Sequence, residues 1–282
     1  MKERKMQRPK KSLGQNFLKD ESISENIARA GSIDPSVGVI EIGPGHGALT
    51  KYLLRYHPKV TAIELDGSLI EELEDKFAYT TGFGVIHADA LKSDLDAIAK
   101  ERYGDKEYAV FGNIPYYLTS PLVMKVVDET MASAAVFMMQ KEAADRICAA
   151  ECSRDAGAIT LSVQMRCSAE KLFDVPPSAF YPQPKVTSSV IILRRLAEPR
   201  IECIDTEATV TVIRAAFSQR RKQASNSIAS VLGIDKTAAE AALIAAGAAG
   251  ERAEKISMAQ YGIIADTLIS GGWHHAEKLS IN

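Results

Sequence analysis

An apolar run at residues 37–42 leads into Glu41-Ile42-Gly43-Pro44-Gly45-His46-Gly47, and a helix-compatible segment, 48–56, follows at once. This order of strand, glycine-rich turn and helix constrains the chain more than any other feature in it. Glycines let the backbone turn sharply and let a ligand approach with no Cβ in the way. Further apolar, β-branched runs come at 60–65, 84–87, 108–111 and 134–139, with helix-compatible segments at 68–79 and 121–130. Short apolar strands alternating with helices predict βαβ units, and hence a parallel sheet covered by helices on both faces. After residue 157 the pattern changes. Residues 159–167 and 188–196 predict two longer strands, joined by a proline-rich stretch at 175–185, that close the sheet as an antiparallel pair. From Thr206 onward the chain is Ala-rich and helical, broken at Gly233, Gly247, Gly250 and Gly271-Gly272. The predicted division is a basic N-terminal segment and pocket entry at 1–36, an α/β domain at 37–198, and a helical domain at 199–282, with Pro199 marking the last boundary.

A chain of 282 residues suits one large domain with a small appendage. No apolar run approaches the roughly 20 residues of a membrane span. Residues 1–11 are basic and polar with no apolar stretch behind them, unlike a secretory signal. A cytoplasmic protein with no membrane partner is expected. Cys148, Cys152, Cys167 and Cys203 form no CxxC pair and have no histidines at ligand spacing, so buried free thiols are expected and no metal. His274-His275 follows Gly271-Gly272-Trp273 and is read as exposed tail. The net charge of −2 argues nothing for nucleic acid, but its distribution does. Lys2, Arg4, Lys5, Arg8, Lys10 and Lys11 face one acid, Glu3, and a second basic island is Arg220-Arg221-Lys222 with Arg214 upstream. Phosphate contacts need such local potential, although a solvated tail and helix face would look the same.

Three predicted strand ends carry the marks of a nucleoside site. The first has the glycine loop; the second ends in Glu64-Leu65-Asp66, an acid placed for ribose hydroxyls. The third ends in His87-Ala88-Asp89-Ala90, where a carboxylate can accept from an adenine amino group or simply cap a helix. These features alone do not separate NAD from S-adenosylmethionine. Asn113-Ile114-Pro115-Tyr116, at the end of the fourth strand, does. The exocyclic nitrogen of adenine is a poor nucleophile because its lone pair is delocalised into the ring. The Asn113 carboxamide oxygen and the carbonyl of Ile114 or of Pro115 can accept its N–H groups and localise that pair. Tyr116 offers a face for an extruded base. A methyl sulfonium is already activated, so positioning and electrostatics supply the rate and no metal is required.

In these motifs the chain resembles the ribosomal RNA adenine N6-dimethyltransferases, on the bacterial small-subunit branch. The likeness runs nearly end to end. It starts at Lys11-Ser12-Leu13-Gly14-Gln15-Asn16-Phe17-Leu18 and passes through residues 41–50, Glu64, Asp89 and residues 113–116. It continues in Phe180-Tyr181-Pro182-Gln183-Pro184-Lys185-Val186, in residues 216–222 and in Glu251-Arg252-Ala253-Glu254-Lys255-Ile256-Ser257. The resemblance implies a class I S-adenosylmethionine-dependent methyltransferase: a Rossmann-like seven-stranded α/β sheet with one antiparallel strand and a small C-terminal all-helical domain. It implies that Asn16, Leu18, Gly43 and Gly45 line the cofactor pocket, that Glu64 holds ribose and Asp89 adenine, and that Asn113 serves cofactor and target alike. Asn113, Pro115 and Tyr116 would form the catalytic turn, with Phe180 as a second aromatic on the target base. By residue type alone Phe180 reads as a turn aromatic packed on prolines. Arg220, Arg221 and Lys222 would contact RNA. The substrate it implies is two adjacent adenosines near the 3′ end of 16S ribosomal RNA, each methylated twice, in a pre-ribosomal 30S particle, by a monomer. Two departures stand out: Ile114 where leucine is common, and Gln223-Ala224-Ser225 where the family often has a Thr-Leu-Arg-like stretch.

Three other functions compete. The large-subunit (23S) resistance enzymes share the sheet and loop, but Arg220-Arg221-Lys222 and Arg252-Ala253-Glu254 favour the small-subunit branch. A mainly non-catalytic assembly factor would use the basic islands and leave an intact catalytic turn unexplained. A NAD-dependent oxidoreductase explains the glycine loop and Glu64 and leaves residues 113–116 idle.

Overall fold

The computed structural model describes residues 15–219 and 222–275. The elements follow in order: β1 (Phe17–Leu18), α1 (Glu21–Arg29), β2 (Gly38–Ile42), α2 (Thr50–Tyr56), β3 (Val60–Glu64), α3 (Gly67–Phe77), β4 (Phe83–His87), α4 (Leu95–Tyr103), β5 (Tyr108–Asn113), α5 (Thr119–Glu129) and β6 (Ala134–Gln140). Then come α6 (Lys141–Ile147), α7 (Ala158–Gln164), β7 (Cys167–Val175), β8 (Phe180–Tyr181), β9 (Ser188–Arg195), α8 (Thr206–Phe217), α9 (Ala224–Leu232), α10 (Lys236–Ala245) and α11 (Met258–Ser270). The chain divides into two compact units. One comprises the described residues up to Ala144 together with Ala169–Arg195; the other comprises Asp145–Ser168 together with the described residues from Leu196 on.

The first unit holds a seven-stranded sheet in the order β4-β3-β2-β5-β6-β9-β7. β4, β3, β2, β5 and β6 run parallel, and β9 is antiparallel to β6. Every residue of β2 and of β3 is buried, as expected of parallel strands with helices on both faces. Caps place the helices between them. Asp66 accepts from the Ser68 N–H ahead of α3 and Asp94 from the Ala97 N–H ahead of α4, each satisfying a donor that the first helical turn leaves unpaired. A separate two-stranded ribbon pairs β1 with β8, Phe17 opposite Tyr181 and Leu18 opposite Phe180.

The second unit packs α7 through α11 around a core that includes Leu161, Met165, Ile213, Ile228, Leu243 and Tyr261. Here the structure corrects one expectation. Residues 158–164 form helix α7 instead of the first part of a strand, and β7 begins only at Cys167. The Thr160 hydroxyl accepts from the Gly157 N–H at 2.9 Å and donates to the Arg146 carbonyl at 2.6 Å, fixing a helical first turn. Leu161 and Met165, four residues apart, are then both buried on one helix face. The cysteines are also corrected: all four are free, but Cys167 alone is buried and Cys152 is exposed. Among the described residues no helix is long and apolar enough to cross a membrane, and no cluster of His, Cys, Asp and Glu has the makings of a metal site.

Candidate active site

The loop after β2 turns on glycines with positive φ, among them Gly43 at 67° and Gly45 at 56°. A Cβ on Gly43 would meet nothing within 4 Å, whereas one on Gly45 would sit 2.9 Å from the Phe17 ring. Gly45 is therefore glycine for two reasons, the left-handed backbone and the close approach of β1. Gly43 leaves its side of the backbone open to a ligand, and it faces a cavity of about 480 Å³.

That cavity is bordered by all ten residues singled out for cofactor and catalysis: Asn16, Leu18, Gly43, Gly45, Glu64, Asp89, Asn113, Pro115, Tyr116 and Phe180. Glu64, at the end of β3, is 5% exposed. It accepts from the Gly45 N–H at 3.1 Å on one oxygen and from the Asp66 N–H at 2.8 Å on the other. Burial pushes its carboxyl above the usual range, against the pull of those N–H groups. The Leu65 N–H also bonds this carboxylate, and the acceptor capacity left over is available to a ligand hydroxyl. Asp89 is half-buried; one oxygen accepts from the Leu91 N–H at 3.0 Å, and Lys92 lies 3.8 Å from the other. Asp89 caps a turn and not a helix, since Asp94 is the N-cap of α4, and its carboxylate borders the cavity.

Sequence reasoning passed over Glu41. It lies within β2, is fully buried, and takes the Thr50 hydroxyl at 2.6 Å. Burial, aided by the neighbouring Glu64 charge, pushes its carboxyl up to about 8. The signal was present, since an acid inside an otherwise apolar parallel strand demands a reason. His46 was also missed: its Nδ1 lies 2.7 Å from Glu72 Oε1 and its ring stands 4.4 Å from that of Phe17.

Asn113 closes β5 beside Met138 of β6. Its amide nitrogen donates to the Asn16 carbonyl at 3.0 Å, which leaves the carboxamide oxygen to accept. The Ile114 N–H donates to the Met138 carbonyl at 2.9 Å, and the Pro115 carbonyl already accepts from the Leu118 N–H at 2.8 Å. Tyr116 is half-buried, with its hydroxyl 3.2 Å from Ser188 Oγ. Phe180 is only 2% exposed and belongs to one apolar cluster with Leu18, Val175 and Ala179. Its neighbour Tyr181 is exposed, as is Tyr117 beside Tyr116. Of the basic residues, Lys222 is exposed in the turn between α8 and α9, while Arg220, Arg221 and the cationic segment at 2–11 lie outside the described residues.

The family model for ribosomal RNA adenine dimethylase matches residues 6–269. The chain belongs to the ribosomal RNA adenine dimethylase family. It is thus a methyltransferase. Among curated relatives, the "Ribosomal RNA small subunit methyltransferase A" of Caldanaerobacter subterraneus subsp. tengcongensis is 37% identical over 92% of this chain and 97% of its own. The protein of that name from Geobacillus thermodenitrificans is 40% identical over 92% and 91%. Among solved structures, the 23S rRNA methyltransferase ErmE superposes with a TM-score of 0.68 at 26% identity, covering 90% of this dimethylase and 100% of ErmE. A dimethyladenosine transferase from Plasmodium falciparum superposes with a TM-score of 0.75 at 24% identity, over 92% and 99%, and shares the fold.

Proposed function

We propose that this dimethylase transfers methyl groups from S-adenosylmethionine to N6 of two adjacent adenosines near the 3′ end of small-subunit ribosomal RNA, twice each, within a pre-ribosomal 30S particle in the cytoplasm. The observation that carries it is the orientation of Asn113. With its amide nitrogen spent on the Asn16 carbonyl, its oxygen is the atom left to take an N–H of the target amine. The second acceptor is the Ile114 carbonyl, because that of Pro115 is engaged by Leu118. Two fixed acceptors draw the amine toward a tetrahedral geometry and hold its lone pair on the line of attack. Tyr116 supplies the face under the base, and Phe180 closes the pocket from its core position.

The cavity fits the cofactor: Gly43 leaves the backbone clear, and Glu64 presents a carboxylate with acceptor capacity left for a ribose hydroxyl. Asn16, Leu18, Gly45 and Asp89 border the same space, and the Asp89 carboxylate is assigned to the adenine amino group. When bound, S-adenosylmethionine supplies a methyl group already activated on a sulfonium sulfur, so the transfer needs no metal. The amine gives up one proton per transfer, and the product that leaves is the neutral thioether. A monomer is the proposed state. Arg220, Arg221 and Lys222 are assigned to RNA phosphates. Relatives named for the small subunit, at 37–40% identity over at least nine-tenths of both chains, support small-subunit RNA over the large-subunit substrate in the name of ErmE.

Primer extension on both ribosomal RNAs, from cells with and without the protein, tests this. Dimethylated adenines block reverse transcriptase, so a paired stop near the 3′ end of small-subunit RNA should vanish when the protein is absent. A stop that persists there, or one that vanishes only from large-subunit RNA, would overturn the assignment.

A further inference from the structure

We infer that Tyr117, Tyr181 and Lys19 form a platform at the mouth of the cavity for the nucleotides flanking the adenine under attack, two rings for neighbouring bases and an ammonium for the phosphate between them. This rests on the RNA substrate proposed above and adds residues that the catalytic turn does not use.

Large aromatic side chains left in water are ordinary when scattered singly. Here two of them line the same cavity: Tyr117 is 57% exposed and Tyr181 is 60% exposed. Each directly follows a more buried aromatic, Tyr116 in one case and Phe180 in the other. The half-buried Tyr116 and the core residue Phe180 are thus each followed by an outer ring open to solvent. The ribbon of β1 and β8 explains the second half of this arrangement. Alternation along a strand puts Leu18 and Phe180, which face each other in register, on one face and Phe17 and Tyr181 on the other. Leu18 and Phe180 are the buried couple, so Tyr181 is held on the opposite face.

Lys19 follows β1 directly. Its N–H donates to the Ala179 carbonyl at 2.9 Å, which anchors it beside the start of β8. Its side chain is exposed, borders the cavity, and makes no ion pair with a described residue. Exposed rings with an uncommitted cation among them are the combination that holds single-stranded nucleic acid: stacking is tolerant of base identity, and the cation tracks the backbone. An adenine drawn out of its stack leaves neighbours that have lost a stacking partner, and the outer rings replace it. A substrate of two adjacent adenines needs such a rest position twice, since each target is in turn the other's neighbour.

The experiment uses the full chain and small ribosomal subunits purified from cells lacking the enzyme. It measures single-turnover methyl transfer against subunit concentration at saturating cofactor, with cofactor affinity measured separately by calorimetry. Tyr117→Ala and Tyr181→Ala should each raise the half-saturating subunit concentration by roughly 5- to 150-fold. Their phenylalanine counterparts should stay within about twofold of the parent, because a face and not a hydroxyl is used. Lys19→Ala should reduce the salt slope of subunit binding by about 0.7–1 unit, and Lys19→Arg should restore it. Cofactor affinity should not move in any variant. Alanine variants with parental concentration dependence would overturn the platform, as would phenylalanine variants as damaged as the alanine ones, or losses that track cofactor affinity. A parental enzyme that binds cofactor but leaves these subunits unmethylated would overturn the substrate assignment itself, and the platform with it. The two failures are therefore distinguishable.

Discussion

Asn113 is the residue on which the proposed chemistry turns, and its environment sets the expected cost of changing it. Asn113→Ala removes one preorganised acceptor and should slow single-turnover methyl transfer on the order of 100- to 1000-fold, or about 3–4 kcal/mol. The rate must be measured at saturating cofactor, because the side chain also steadies Asn16. Parental rates in that variant would sink the two-acceptor mechanism. At Tyr116 the face and the hydroxyl do different work. Tyr116→Ala should lose about 1–3 kcal/mol of base stacking. Tyr116→Phe keeps the face and loses only the bond to Ser188, a cost of about 0.5–1.5 kcal/mol. Ser188→Ala should then match Tyr116→Phe, and the double variant should be no worse than either single one. Additive losses would mean that the two hydroxyls act separately. That residues 113–116 stand at a strand end beside the cavity was legible in sequence, because the apolar run of β5 stops there at an Asn and a Pro that favour a turn. The choice of the Ile114 carbonyl over that of Pro115 could not be read, since it depends on which carbonyl the following turn consumes.

At the scale of elements, strands and turns fared differently. The apolar runs ending at the glycine loop, Glu64 and Asn113 became β2, β3 and β5, because strands buried on both faces leave an unbroken apolar signature, while the run before Asp89 became β4, a half-buried strand at the sheet edge. Residues 159–165 also alternate apolar and polar, yet they form α7, since the helical bundle rewards Leu161 and Met165 on one helix face and Thr160 fixes the first turn. Leu161→Ala should therefore destabilise the protein by about 2–5 kcal/mol in denaturant unfolding, as for any leucine truncated in a packed core. A loss below about 0.5 kcal/mol would mean that this helix is not packed as described. Of the basic island at 220–222, Lys222 stands exposed in the turn before α9. Replacing Arg220, Arg221 and Lys222 with Ala should flatten the salt dependence of RNA binding by up to about three phosphate contacts, with cofactor affinity unchanged. An unaltered slope would leave this turn merely facing solvent.

For the molecule as a whole, Glu41 links the site to the stability of the fold. Its carboxyl is held at about 8 in the folded protein against an ordinary 4.5, so the native state binds its proton more tightly than the unfolded chain does. That contribution is fully present below the unfolded value and is lost as pH rises through the folded one. Glu41→Gln keeps the shape and an acceptor for Thr50 but cannot ionise. Thermal unfolding of the ligand-free protein should show the parent losing stability relative to Glu41→Gln between about pH 4.5 and 8, and parallel profiles would rule this out. By itself the sequence determined the alternation of strands and helices from β2 to β6, the glycine loop, and the identity of the groups at the strand ends, because periodicity, backbone freedom and side-chain chemistry are local properties. Only the tertiary structure decided which of those groups meet. It drew the β1–β8 ribbon over the glycine loop, turned the Asn113 carboxamide by bonding it to Asn16, buried Phe180 and left Tyr181 in water. Those outcomes depend on contacts between residues as much as 164 positions apart, as Phe17 and Tyr181 are. A pattern read along the chain carries no distance across it.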